Sequence, residues 1–374
     1  MKTLTITRLL VFWALVAFAV IAPSAIAQQQ PPPPAAPPPA NAPAPAQNDP
    51  SQQGTLQNQK PVPPIQVTTG LVHLVATVTD RRHNFVTTLD QSDFKVFENG
   101  APQEIRFFGR ETDLPLRIGL LLDTSNSIRP RLEFEQDAAI DFLNSVIRRD
   151  KDMAFLMIFD NEPEVIQDYT GDLALLTKAI RRQRAGGGTA LNDAIYKATE
   201  KLSNPPLPKT GNPEVRRVLV VISDGDDNLS DRALSEAIEA AIRAEASIYA
   251  ISTNTDWISI SERDGSKKAP SDGNEEALQR KLHLDPGDKV LQQFAVQSGG
   301  RVFFPYRVDD LEQSFVDIGA ELRSQYFIAY SPTNPLANGQ YRKINVETDR
   351  KNLTVRTRKG YYANAQSPSA PASK

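Results

Sequence analysis

The chain has 374 residues, a formal net charge of -3, 40 % hydrophobic and 23 % charged residues, no cysteine and three histidines. The absence of cysteine excludes disulfides, thiolate metal centres, a cysteine nucleophile and a lipidated cysteine anchor. The near-neutral balance argues against a general nucleic-acid binder, so the local basic groups Arg181, Arg182, Arg184 and Arg350, Lys351, Arg356, Arg358, Lys359 read as solvated faces.

The first 27 residues read as a secretory signal. Lys2 and Arg8 supply the positive region, Leu9 to Ala22 an apolar core short of the ~20 residues a membrane helix needs, and Ala25-Ile26-Ala27 a small-residue cleavage site. Cleavage after Ala27 predicts a secreted or periplasmic protein without stable membrane insertion. Residues 28–64 are rich in Pro, Ala and Gln and cannot bury enough apolar surface to fold, so they read as a disordered linker.

Residues 65–114 read as β-structure. Leu71 to Thr79 alternates as a half-buried strand, and Phe85–Thr88, Asp93–Glu98 and Glu104–Phe108 are short strands separated by turns such as Asn99-Gly100. Similar alternation returns in residues 325–363, at Tyr326–Tyr330, Tyr341–Glu347 and Leu353–Arg358. The two blocks together hold about ninety residues, close to the ~100 of a small sandwich. They predict one β-sandwich split in sequence around an inserted domain; two separate β appendages are the alternative. Residues 364–374 read as a disordered tail.

Between the blocks, residues 115–324 alternate strand and helix patterns, which predicts a doubly wound, mostly parallel α/β sheet. The unbroken apolar run Ile118–Leu122 has the character of a strand buried on both faces. Helices are predicted at Pro130–Arg149, Leu173–Arg182, Ala190–Leu202, Arg232–Ala244, Val290–Gln297 and Leu311–Arg323, and strands at Met153–Phe159, Val218–Ile222, Ser247–Ile251 and Arg301–Phe304. Trp257 to Pro286 is too long and polar for an ordinary connection, with helical character at Glu275–Leu282, and should emerge near the carboxyl-end rim of the sheet.

That rim gathers oxygen. Asp123, Ser125 and Ser127 follow the first buried strand at spacing two, Thr189 follows Gly186-Gly187-Gly188 and opens a helix, and Asp224 follows a second buried strand. Strand-following loops of a parallel sheet share the edge where ligands bind. Carboxylates and hydroxyls without nitrogen or sulfur suit Mg²⁺, Ca²⁺ or Mn²⁺. Taken singly, Ser127 and Thr189 read as helix caps and Asp224-Gly225 as a turn; three such motifs in order favour a metal site. Two carboxylates would neutralise one dication only formally, leaving attraction for a partner's Asp or Glu. Asp226 and Asp227 read as exposed loop charges.

On these residues, Pro115 to about Ser324 resembles a von Willebrand factor type A (VWA) domain, and Asp123, Ser125, Ser127, Thr189 and Asp224 match that family's metal-ion-dependent adhesion site. The flanking segments resemble those of secreted bacterial proteins carrying this domain. The resemblance implies a Rossmann-like sheet with a divalent metal on its upper rim and capture of a protein ligand that presents an acidic residue. The competing readings are an envelope scaffold with a stabilising metal and a Mg-dependent hydrolase. The hydrolase lacks a P-loop lysine, a second acid at the first strand and a nearby histidine, and no catalytic residue is assigned.

Overall fold

The computed structural model describes residues 70–110, 114–208, 214–254, 285–305 and 308–363. The signal, the Pro-rich linker, the C-terminal tail and the helix expected at Glu275–Leu282 lie outside them.

A six-stranded sheet forms the centre, in the order β10-β9-β8-β5-β6-β7. Its strands are β5 (Leu116–Asp123), β6 (Met153–Phe159), β7 (Pro163–Thr170), β8 (Arg216–Ser223), β9 (Ser247–Ser252) and β10 (Val302–Phe303). Pairing is parallel except between β6 and the edge strand β7. β5 lies between β6 and β8, and every one of its residues is buried. Two-sided burial explains its uninterrupted apolar run, each large aliphatic residue contributing ~1.5–3 kcal/mol. Gly119 makes this packing possible: a Cβ there would stand 2.6 Å from Leu219 Cδ2 and 2.6 Å from Phe155 Cζ.

Helices cover both faces. α1 (Leu132–Val146), α2 (Leu173–Arg181) and α6 (Val308–Leu322) bury Leu143, Ile180 and Ile318 against Ile118, Leu120 and Leu122. On the other face α3 (Leu191–Ser203), α4 (Leu234–Arg243) and α5 (Pro286–Ser298) bury Ile195, Ala241 and Phe294 against Leu121, Phe155 and Leu219. Alternate residues of one strand thus feed two separate cores. The predicted α/β architecture is present; β7, which the sequence pattern did not reveal, adds an antiparallel margin.

The flanking blocks build two antiparallel sheets. The strands are β1 (Val72–Asp80), β2 (Phe94–Glu98), β3 (Ala101–Gln103) and β4 (Ile105–Arg110) before the α/β unit, and β11 (Tyr326–Tyr330), β12 (Tyr341–Thr348), β13 (Leu353–Arg356) and β14 (Gly360–Tyr362) after it. Their orders are β13-β1-β11-β4 and β14-β12-β2-β3, so each sheet takes strands from both blocks. Leu74, Val78, Val96, Ile328 and Val346 share one core between them. Glu98 fastens that core: it accepts from Arg342 Nη1 at 2.9 Å, Tyr330 OH at 2.8 Å and Tyr361 OH at 2.8 Å. Phe85–Thr88 contributes a single bridge, Phe85 to Thr79, in place of the expected strand.

Candidate functional site

The carboxyl ends of β5 and β8 bring Asp123 and Asp224 to one rim, as parallel strands must. Asp123 ends β5 fully buried. Ser223 Oγ donates to its Oδ2 at 2.7 Å and Ser125 N to its Oδ1 at 2.8 Å, so both oxygens are held. Ser125 Oγ lies 2.9 Å from Ser127 Oγ, and Ser127 Oγ donates to Asp224 Oδ2 at 2.7 Å. Four of the five expected oxygen-bearing residues therefore form one connected chain.

Neither Ser127 nor Thr189 caps a helix, since Arg131 stands at the cap of α1 and Ala190 at that of α3. The turn expected at Asp224-Gly225 is present: Asp226 N donates to Asp224 Oδ1 at 3.2 Å, with Gly225 at φ +81°. Thr189 is 3 % exposed, and among the described residues its hydroxyl makes no hydrogen bond to Asp123, Ser125, Ser127 or Asp224. Gly186 N donates to Thr124 O at 2.7 Å, and Asn126 N and Nδ2 donate to Gly187 O at 3.3 and 3.2 Å. The glycine loop is thereby laid along the Asp123–Ser127 loop.

Residues that spacing did not single out hold this arrangement. Asn161, in the turn after β6, accepts from Gly188 N at 2.9 Å, and Asn228 accepts from Thr189 N at 3.0 Å. Asp227 accepts from Asn192 N at 3.0 Å and Ser230 N at 3.1 Å, so it fixes the start of α3 where a free loop charge was expected. Gly225, at φ +81°, meets Gly287 at the start of α5 so closely that a Cβ on either would collide with the other's backbone. These contacts are tertiary, which is why no local pattern announces them.

Acidic groups crowd beneath the rim. Burial pushes the Asp123 carboxyl up to about 6, against the Ser223 and Ser125 hydrogen bonds and with help from the charge of Asp224. Glu135, on α1, is 1 % exposed, and neither of its carboxylate oxygens has a hydrogen-bond partner among the described residues. Burial pushes it up to about 8; Arg131, whose Nε is 3.9 Å away, opposes this, and Asp123 and Asp224 add to it. Asp226 is also raised, by burial and by Asp224 and Asp285. Acids crowded in this way are stabilised by a cation.

The donor set fits a hard dication. Mg²⁺ with oxygen at about 2.1 Å in octahedral geometry puts adjacent ligand oxygens roughly 3.0 Å apart. The Ser125 to Ser127 and Ser127 to Asp224 separations, 2.9 and 2.7 Å, lie near that edge length. Among the described residues no group of three His, Cys, Asp or Glu side chains forms a ligand cluster.

A helix-covered, mostly parallel sheet with oxygen-bearing side chains past the carboxyl ends of its first and fourth strands in sequence is an α/β domain of the kind in which the strand-end rim is the usual place for ligands. Residues 118–226 match the family model of the von Willebrand factor type A domain, and the chain carries such a domain. Domains of this class generally act as interaction modules, many of them metal-dependent. Among solved structures, the chain is similar to a von Willebrand factor type A protein from Catenulispora acidiphila, at 13 % identity over 77 % of this chain and 71 % of that one, with TM-score 0.43. It is also similar to the conserved hypothetical protein BatB from Bacteroides thetaiotaomicron, at 16 % identity over 55 % and 98 %, TM-score 0.36. A third similarity is to proximal thread matrix protein 1 from the mussel byssus, described with a zinc-occupied MIDAS motif, at 16 % identity over 60 % and 49 %, TM-score 0.41. No curated protein matches the sequence. No helix among the described residues is long and apolar enough to cross a membrane.

Proposed function

We propose that this protein is a secreted or periplasmic binding module that captures a protein ligand through a divalent cation, Mg²⁺ or alternatively Ca²⁺ or Mn²⁺, held by Asp123, Ser125, Ser127, Thr189 and Asp224. The observation that carries the reading is the continuous chain Ser125 Oγ, Ser127 Oγ, Asp224 Oδ2 above the anchored Asp123. When bound, the cation supplies attraction for one carboxylate oxygen of the ligand. The protein's own residues set how strong that attraction is. Asp123 is immobilised by Ser223 and Ser125, the hydroxyls contribute dipoles without net charge, and Asp224 is the remaining carboxylate in the set. Two acids do no more than balance a dication, and neutral donors complete the set without quenching its field.

The test is capture from the native envelope or medium by the purified chain, with Mg²⁺, with EDTA, and with Mg²⁺ restored, beside a titration of Mg²⁺ alone. Capture should disappear with EDTA and return with the metal while the melting temperature shows a folded chain throughout. Asp123→Ala should lose metal binding. Thr189→Ala should weaken capture more than it weakens folding. Capture indifferent to EDTA would overturn the adhesive reading, global unfolding in EDTA would replace it with a structural ion, and turnover of phosphate esters would replace it with hydrolysis.

A further inference from the structure

The end of the central sheet opposite the Asp123 rim meets the β-sandwich, and the junction is filled unevenly. β1 turns Leu74, Ala76 and Val78 into the sandwich core, which leaves His73, Val75 and Thr77 on the other side of the strand, toward the α/β domain. On the Thr77 side the junction is closed by polar groups: buried Glu321 of α6 accepts from Thr77 Oγ1 at 3.0 Å, Tyr249 OH at 2.7 Å and Gln325 Nε2 at 3.2 Å, and pairs with Arg356. On the His73 side it stays open, as a cavity of about 480 Å³ walled by both domains. That volume and position between domains are typical of small-molecule sites.

The lining is apolar with an excess of positive charge. Val75, Phe327 and Ile242 give it an apolar body, and Arg216, Arg217, Arg358, Glu214 and Glu245 also line it. Arg358 Nη2 is spent on Glu245 Oε1 at 3.0 Å and His73 O at 2.8 Å. Arg217 uses only Nε, which donates to Leu202 O at 2.9 Å, and it forms no ion pair among the described residues. Glu245 closes α4 at φ +53°, a position that suits glycine, so its side chain is kept there against the backbone preference. Burial works to raise its carboxyl, but Arg358, His73 and Arg217 outweigh that and hold it low. Three guanidinium groups and two carboxylates therefore stand beside an apolar wall, a formal excess of one positive charge.

We infer that this junction cavity is a second binding site, separate from the metal rim, for a small organic anion with an apolar body, whose carboxylate or phosphate group pairs with Arg217 while its body lies between the two domains. The probe for the test is 8-anilinonaphthalene-1-sulfonate, titrated by fluorescence into the folded full chain, with hexanoate, hexyl phosphate, hexanol and hexylammonium as competitors. The expected result is a single saturable site, unchanged by EDTA, from which hexanoate or hexyl phosphate displaces the probe while hexanol and hexylammonium do not. Which of the two anions competes better identifies the head group. Arg217→Gln should weaken probe binding about tenfold or more, as loss of a charge-assisted pair does, and Ser203→Trp, at the cavity wall, should block it with the melting temperature retained. Competition by hexanol equal to that by hexanoate, abolition by EDTA, or parental binding in both variants would each overturn the inference.

Discussion

Glu135 is the residue whose state most depends on what occupies the rim. Its folded pKa, raised from 4.5 to about 8, means that the metal-free native state holds a proton the unfolded chain has released, so its stabilising share is intact below pH 4.5 and is lost as pH rises toward about 8. Asp123, raised from 3.8 to about 6, acts in the same direction at lower pH. Metal-free protein should therefore melt at progressively lower temperature between pH 5 and 8. Glu135→Gln, which keeps the shape without the charge, should recover on the order of 2–4 kcal/mol at pH 8 and little at pH 5; chemical denaturation at both pH values in EDTA measures this. A bound dication should reverse the sense, stripping protons from both acids, and calorimetry in buffers of different ionisation enthalpy should register their release. At this scale the sequence was informative wherever neighbours act on each other locally. Asp123, Ser125 and Ser127 were legible because their spacing alone carries them past the end of one strand. Asn161 and Asn228 were not, because each binds a backbone N–H that tertiary folding delivers to it from a distant loop.

Among the elements, β5 was legible because burial on both faces leaves a continuous apolar run, whereas β7, Pro163–Thr170, was not. As an antiparallel edge strand it is largely solvated, begins with proline and pairs with β6 through irregular register, so neither burial nor alternation marks it. The end of β5 remote from the rim is secured by Asp152, which is fully buried and accepts from Leu116 N at 2.7 Å, Arg148 Nε at 2.9 Å and Arg323 Nη2 at 3.0 Å. Burial alone would raise its carboxyl, but the hydrogen bonds and charge of Arg148 lower it. Its contribution is thus present above the ordinary aspartate range and lost as pH falls below it. Asp152→Ala removes the carboxylate that Leu116 N, Arg148 and Arg323 share and should cost about 1–3 kcal/mol, read by urea denaturation at pH 7. The close approach of α5 to the Asp224 loop gives a different expectation. Gly287→Ala inserts a methyl group against Asp224 O; it should cost about 1–3 kcal/mol, and it should also weaken Mg²⁺ binding in titration, since the backbone that must yield carries a proposed ligand.

For the whole molecule, the division of strands into two blocks was legible from their alternation, but their interleaving was only an expectation until the pairing of β1 with β11 and β13, and of β2 with β12, was seen. Register between strands more than two hundred residues apart leaves no local signature. A chain ending at Ser324 would deprive β1 of both its neighbours, so it should be recovered as aggregate or be cut rapidly by protease within residues 70–110, whereas the full chain resists. The two crossings into and out of the α/β domain are also neighbours: β4 and β11 pair antiparallel, with Arg110 opposite Tyr326. The inserted domain therefore hangs from adjacent strands like a pendant on a clasp. Tension applied at Gly70 and Ala363 would run through the sandwich and bypass everything between Leu116 and Leu322. In a pulling experiment the sandwich should rupture first, and the long extension stored in the α/β domain should be released only afterwards, so a ligand held at the rim stays sheltered from load until the clasp gives way.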